Sequence, residues 1–104
     1  MVGGEHMWKT TGIKESVVDE IVILANKYHI NKVILFGSRA RGDYKERSDI
    51  DIAVAGGDFN RFVIDVDEET STLLKYDIVN LDGVMQAELR DSILREGIVM
   101  YEEV

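Results

Sequence analysis

The chain contains no cysteine among its 104 residues. A disulfide framework and a thiolate metal site are thereby excluded, which fits a cytoplasmic setting. No apolar run approaches the roughly 18 residues of a membrane span, and no cationic leader precedes an apolar segment. No membrane association is expected. Positive charge is also scarce, with 12 Lys and Arg against 20 Asp and Glu and a formal net charge of −8. The shortage is uneven: residues 1–48 hold 8 basic and 6 acidic side chains (net +2), whereas residues 49–104 hold 4 and 14 (net −10). A generic nucleic-acid binder carries a basic face, so direct binding to DNA or RNA is not expected. The acidic half suits a basic protein partner, or simply solubility. The G-x-x-x-x-G-K-[ST] pattern is missing too, which excludes a Walker A loop.

What is present centres on residues 33–54, VILFGSRARGDYKERSDIDIAV. The apolar run Val33-Ile34-Leu35-Phe36 stops at Gly37-Ser38, and a loop carrying Arg39, Arg41, Lys45 and Arg47 follows. A second strand then holds two acids, Asp49 and Asp51, among β-branched residues. Strand side chains alternate faces, so the two acids share one, with Cα atoms about 6.5–7 Å apart. Two carboxylates about 5 Å apart repel by roughly 3 kcal/mol at an effective dielectric near 20. A hard divalent cation such as Mg²⁺ turns that cost into a binding site. If the Gly-Ser turn and the acid pair meet at one end of the sheet, the two strands run antiparallel. Glycine lets backbone approach a phosphate, and Ser38 offers a donor to its oxygens. Phosphoryl and nucleotidyl transfer need this layout.

Gly37-Ser38, ten residues, then Asp49-x-Asp51 resembles the signature of the DNA polymerase β-type nucleotidyltransferase superfamily. The short chain is similar to the minimal nucleotidyltransferases, many of which pair as antitoxins with HEPN-domain toxins. The signature covers residues 37–51, and the resemblance in element order runs over about residues 13–101. The implied fold is a single α/β (α+β) domain over residues 13–104, a small mixed sheet flanked by helices in the order α-β-α-β-α-β-α-(β).

Outside the signature, residues 1–12 show no periodicity, and His6-Met7 resembles a cloning scar, so this segment is set aside as flexible. Apolar residues at 13, 17, 18, 21, 24, 25 and 28 predict a helix over residues 13–28, with Thr10 or Thr11 as its cap. His29 reads as a surface or capping residue. Strands are predicted at 32–36, 50–54 and 76–81, with a short helix from Ser38 to about residue 44. Residues 58–75 read as one helix whose acids Asp65, Asp67, Glu68 and Glu69 form a solvated face. Residues 85–95 read as a last helix with Gly97 as its C-cap, followed by an edge strand over 98–101.

The resemblance assigns chemistry to these positions. It implies that Asp49, Asp51 and Asp77 are catalytic and metal-binding, Asp77 matching the family's third acid on the strand after the long helix. Asp82 competes for that role but sits in an Asp-Gly turn signal. Gly37 and Ser38 would bind the β- and γ-phosphates. Arg39 and Arg41 are candidates for triphosphate contacts, with solvated loop cations as the equal alternative. The implied reaction moves AMP from ATP to a hydroxyl, with two Mg²⁺ ions and release of pyrophosphate. Relatives with an added domain use it to grip the acceptor; here the acceptor would bring its own surface. A tyrosine of a HEPN toxin is the leading acceptor. A non-catalytic module that inhibits a HEPN ribonuclease by complex formation, and a small-molecule nucleotidyltransferase, are the alternatives.

Overall fold

The computed structural model describes Trp8 and residues 10–103. The first helix, α1 (Glu15–Lys27), buries Val17, Val18, Ile21, Leu24 and Ala25, the stripe that a 3.6-residue period sets. Neither threonine caps it, because the N-cap is Lys14, which makes no side-chain bond. Thr11 is instead buried in the preceding turn, where its Oγ1 donates to the Trp8 carbonyl (2.6 Å) and accepts from the Ile13 N–H (3.2 Å). Trp8 itself belongs to the main core, 8% exposed. Residues 8 and 10–12 are therefore part of the fold, which corrects the expectation of a flexible tail there. A lone tryptophan ahead of the first periodic stretch leaves no pattern to read. His6 lies outside the described residues.

Four strands follow: β1 (Lys32–Phe36), β2 (Ile50–Ala55), β3 (Tyr76–Asn80) and β4 (Ile98–Glu102). The order across the sheet is β3-β2-β1-β4. β1 runs antiparallel to both β2 and β4, and β2 runs parallel to β3. The antiparallel arrangement expected for the Gly-Ser and acid strands is therefore the one observed. A one-turn helix, α2 (Gly37–Arg41), leaves β1 directly and ends at Gly42, whose φ of 93° only glycine adopts readily.

Period-2 alternation divides the sheet into two unequal faces. One side of β1 and β2 sends Val33, Leu35, Ile50, Ile52 and Val54 into the main core beneath α1 and α3 (Phe59–Glu69). Each such side chain stabilises the fold by ~1.5–3 kcal/mol on full burial. On the other side, Ile34, Ala53 and Leu81 form a smaller core with Ile93 of α4 (Ala87–Glu96). That face is half covered, and its uncovered end is where the acids emerge.

α3 is shorter than the residue 58–75 helix predicted from the apolar pattern. Asp58 caps its start by accepting from the Arg61 N–H (3.3 Å). It stops because Thr70 Oγ1 donates back to the Val66 carbonyl (2.7 Å), and Tyr76 donates its phenol to the same hydroxyl (2.7 Å). The Glu20 carboxylate then accepts the Ser71 N–H (2.8 Å) and hydroxyl (2.6 Å), which fixes the loop on α1. Leu73, which continues the apolar spacing of the predicted helix, is fully exposed.

Candidate active site

The register of β2 on β3 sets Asp51 directly beside Asp77. Paired residues of neighbouring strands point to the same face, so the Asp51 and Asp77 carboxylates lie on the α4 side of the sheet; Asp49, just before β2, is near enough for its charge to act on Asp51. Asp49 and Asp77 are exposed and Asp51 is partly buried. Burial pushes the Asp51 carboxyl up to about 6, and the charges of Asp77 and Asp49 push the same way against the pull of Arg41 and Arg39. Like charges gathered at one point cost stability unless positive charge offsets them, so this grouping suits a cation.

On the other flank, Asp51 pairs with Phe36, the last residue of β1. Gly37 comes next with φ 73°, and a Cβ added there would overlap Asp51 Oδ2. The turn's backbone is thus pressed against the carboxylate, as the meeting of turn and acid pair at one end of the sheet requires. Ser38 is partly buried at the start of α2, and its carbonyl accepts the Gly42 and Asp43 N–H groups (2.9 and 3.1 Å).

The two arginines part company. Arg39, expected among the phosphate contacts, is 1% exposed. Its Nε and Nη2 donate to the Ser48 carbonyl (3.0 and 2.9 Å), Nη2 also to Glu46 O (3.2 Å), and Nη1 to Thr11 O (2.9 Å). Its guanidinium also lies 4.8 Å from the centre of the Tyr44 ring. Arg39 is a clamp that ties the loop before Asp49 to the N-terminal turn, and its donors are spent on those carbonyls. Neither solvated cation nor phosphate contact describes it. Arg41 is exposed, and among the described residues it pairs at the surface with Asp43 (3.4 Å) and Glu96 (3.9 Å). Such pairs hold a side chain by about 0–1 kcal/mol, so Arg41 is free to turn to a stronger anion.

Two further cations, which spacing does not assign to the site, stand beside Asp49. Arg47 and Lys75 line a cavity of about 650 Å³ with Glu46, Asp49, Leu73 and Leu74. Lys75 falls at the end of the helix that the apolar pattern predicts; the early stop of α3 is what brings it to the site. Asp82 plays another part, accepting the Gly56 N–H (2.7 Å) in the turn that ends β2.

The donor set fits a hard divalent cation, since it consists of carboxylate oxygens on one face with one group electrostatically strained. Among the described residues no three acidic or histidine side chains converge into a ready cage. Magnesium does not need one, because it is commonly held by one or two carboxylates together with substrate phosphates and water.

Fold and grouping together define the class as a nucleotidyltransferase. The chain belongs to the polymerase β nucleotidyltransferase family, whose profile, "Polymerase beta, Nucleotidyltransferase", matches residues 19–104. A Methanocaldococcus jannaschii protein named for a proposed protein adenylyltransferase activity is 41% identical over 102 residues, covering 85% of this chain and 98% of its own. A second from that organism, similarly named, is 35% identical over 89 residues, covering 81% and 86%. Among solved structures, a minimal nucleotidyltransferase superposes with a TM-score of 0.59 at 29% identity, covering 78% of this chain and 86% of that one. A chain of the MntA-HpeT toxin–antitoxin structure gives 0.65 at 21% identity, covering 83% and 73%, and so shares the fold. A toxin–antitoxin structure with AMP-PNP also gives 0.65, at 23% identity, covering 83% and 73%.

Proposed function

We propose that the chain is a Mg²⁺-dependent adenylyltransferase that moves AMP from ATP onto a hydroxyl of a protein, a tyrosine of a HEPN-domain toxin, and so serves as that toxin's antitoxin in the cytoplasm. The observation that carries this reading is Asp51 beside Asp77, with the charge of Asp49 acting on Asp51, at the half-covered end of the sheet. The relatives named for protein adenylylation support a protein acceptor. The toxin–antitoxin assemblies among the fold's neighbours support a toxin partner.

In this reading Asp49, Asp51 and Asp77 would hold the metal, two ions in the full site, which would neutralise charge on the phosphates and make the acceptor hydroxyl more acidic. The chain's own groups position the reactants. The backbone of Gly37 and Ser38, the Ser38 hydroxyl and the Arg41 side chain bind the β- and γ-phosphates, with Arg47 and Lys75 adding charge from the cavity wall. The Asp77 carboxylate, exposed and next to Asp51, takes the acceptor's proton. The acceptor oxygen bonds to the α-phosphorus as the bond to the bridging oxygen breaks, and pyrophosphate leaves. Catalysis is then mainly orientation and electrostatics.

The test is intact mass of a candidate HEPN partner after incubation with ATP and Mg²⁺, beside the Asp49→Asn/Asp51→Asn double variant. The expected result is a gain of one or more AMP units, absent with the variant. A stable complex with no mass gain would replace catalysis by inhibition through binding.

A further inference from the structure

β3 is an edge strand, and it is the edge next to the acids. The Ile50 N–H donates to the Lys75 carbonyl and the Leu81 N–H to the Val54 carbonyl, both at 2.8 Å. In a parallel ladder this pattern turns the backbone of residues 75, 77, 79 and 81 toward β2 and that of Tyr76, Ile78 and Asn80 outward. Asn80 O is taken by the Gly83 N–H (3.1 Å). Among the described residues no other hydrogen bond reaches the outward backbone groups of Tyr76 or Ile78.

Beside this edge lies a groove of about 350 Å³ lined by Val63, Ile64, Asp67, Glu68, Tyr76 and Ile78. Its floor is apolar and its rim is acidic. The side chain of Asp77 points to the opposite face, so a strand laid along β3 meets the groove with one set of side chains and Asp77 with the alternate set.

We infer that the free edge of β3 is the rail on which the acceptor docks: an extended segment of the acceptor protein pairs with Tyr76–Asn80, an inference that rests on the protein-acceptor reading above. Its groove-facing residues are apolar with basic neighbours, matching Val63 and Ile64 on the floor and Asp67 and Glu68 on the rim. The residue opposite Asp77 then stands with its Cβ about 4.5–5.5 Å from that of Asp77, which puts a side-chain hydroxyl within reach of the carboxylate. Edge pairing also explains how a site on so small a domain holds a polypeptide: main-chain bonds give affinity and alternate side chains give selection. A second copy of this chain is the wrong occupant. Two β3 edges would bring like charges together, at Asp77 and along the acidic groove. The other free edge, β4, lies three strand spacings from β3, about 14 Å, and is too distant to serve the site.

The experiment is amide hydrogen exchange of the full chain, alone and mixed with the candidate partner of the mass experiment, alongside Ile78→Pro. Proline at 78 deletes an outward N–H and leaves the β2 ladder intact. The expected result is slowed exchange at Tyr76 and Ile78 in the mixture. Ile78→Pro is expected to raise the acceptor KM by roughly tenfold or more, because a docking bond is lost and its partner is left unpaired. Circular dichroism of the variant separates this effect from misfolding, and the exchange result on the unaltered chain stands without it. AMP transfer with Tyr76 and Ile78 still exchanging freely would overturn edge docking and leave the reaction standing. Protection there without transfer would keep the docking and remove the reaction. Protection confined to β4, or neither protection nor transfer, would overturn the inference.

Discussion

Gly37 and Asp51 touch across the β1–β2 ladder, glycine's missing side chain being the space that the Asp51 carboxylate occupies. The contact joins the Gly-Ser turn to the acid cluster. Gly37→Ala meets two penalties, a φ of 73° and overlap with Oδ2. Backbone strain of this kind costs about 1–3 kcal/mol. Displacing the carboxylate by about 1 Å lowers the rate by roughly 100-fold. Thermal melting and AMP transfer measured on one preparation check both.

The Asp51 carboxyl gives a pH signature. Its folded value is raised from 3.8 to about 6, chiefly by burial and then by Asp77 and Asp49, so the folded state binds the proton more tightly than the unfolded one. The stabilisation from that proton is complete below the unfolded value and lost as pH rises through the folded value. Asp51→Asn stays neutral throughout. Without metal, its melting temperature is expected to match the unaltered chain near pH 4 and exceed it at about pH 8. Mg²⁺ should raise the unaltered chain's melting point more than the variant's, since ligand that binds only the folded state stabilises it. A variant less stable at high pH would refute the strained-cluster account.

Local rules make much of this fold legible. β1 is readable residue for residue because a continuous apolar run ends at a glycine. The acid pair shows itself because carboxylates interrupt a buried strand. Arg39 escapes for an equally physical reason: whether a loop cation is solvated or buried depends on carbonyls at Thr11, Glu46 and Ser48 converging on it, and no spacing encodes that. The end of α3 escapes because Leu73 and Leu74 continue the helical period. Hydroxyl back-bonding at Thr70 overrides the pattern.

Arg39 should therefore behave as a structural residue. Arg39→Ala leaves buried carbonyls unpaired and is expected to cost about 2–4 kcal/mol, on the scale of about 1–3 kcal/mol per unsatisfied group. Arg39→Lys should rescue little, because one ammonium cannot bridge three carbonyls set for a planar fork. Denaturant titration of the two variants checks this. Full stability with lost ATP affinity would instead make Arg39 a phosphate ligand.

Trp8 is the chain's one tryptophan and is packed in the main core. Its emission should be blue-shifted in the folded protein and move red with the global unfolding transition. Trp8→Phe should be tolerated better than Trp8→Ala, which is expected to cost about 3–5 kcal/mol. Emission that reports full exposure in the native protein would return this residue to a tail.

Asp77 and Asp82 offer the sharpest separation of site from scaffold. They lie five residues apart, both acidic and exposed, on one strand and the turn after it. Asp77 is the register partner of Asp51. Asp82 accepts the Gly56 N–H at 2.7 Å, while its own N–H is held by Asn80 Oδ1 at 2.9 Å. Asp77→Asn removes a charge from a repelling cluster, so the fold should hold or gain stability while transfer falls by roughly 100-fold or more, the scale of a lost general base. Asp82→Asn keeps an oxygen for Gly56 and should change transfer little. Asp82→Ala removes that acceptor and should cost about 1 kcal/mol of stability. Melting and transfer assays run in parallel on the three variants distinguish the two roles. If Asp82→Asn silenced transfer and Asp77→Asn did not, the third carboxylate would move to the turn.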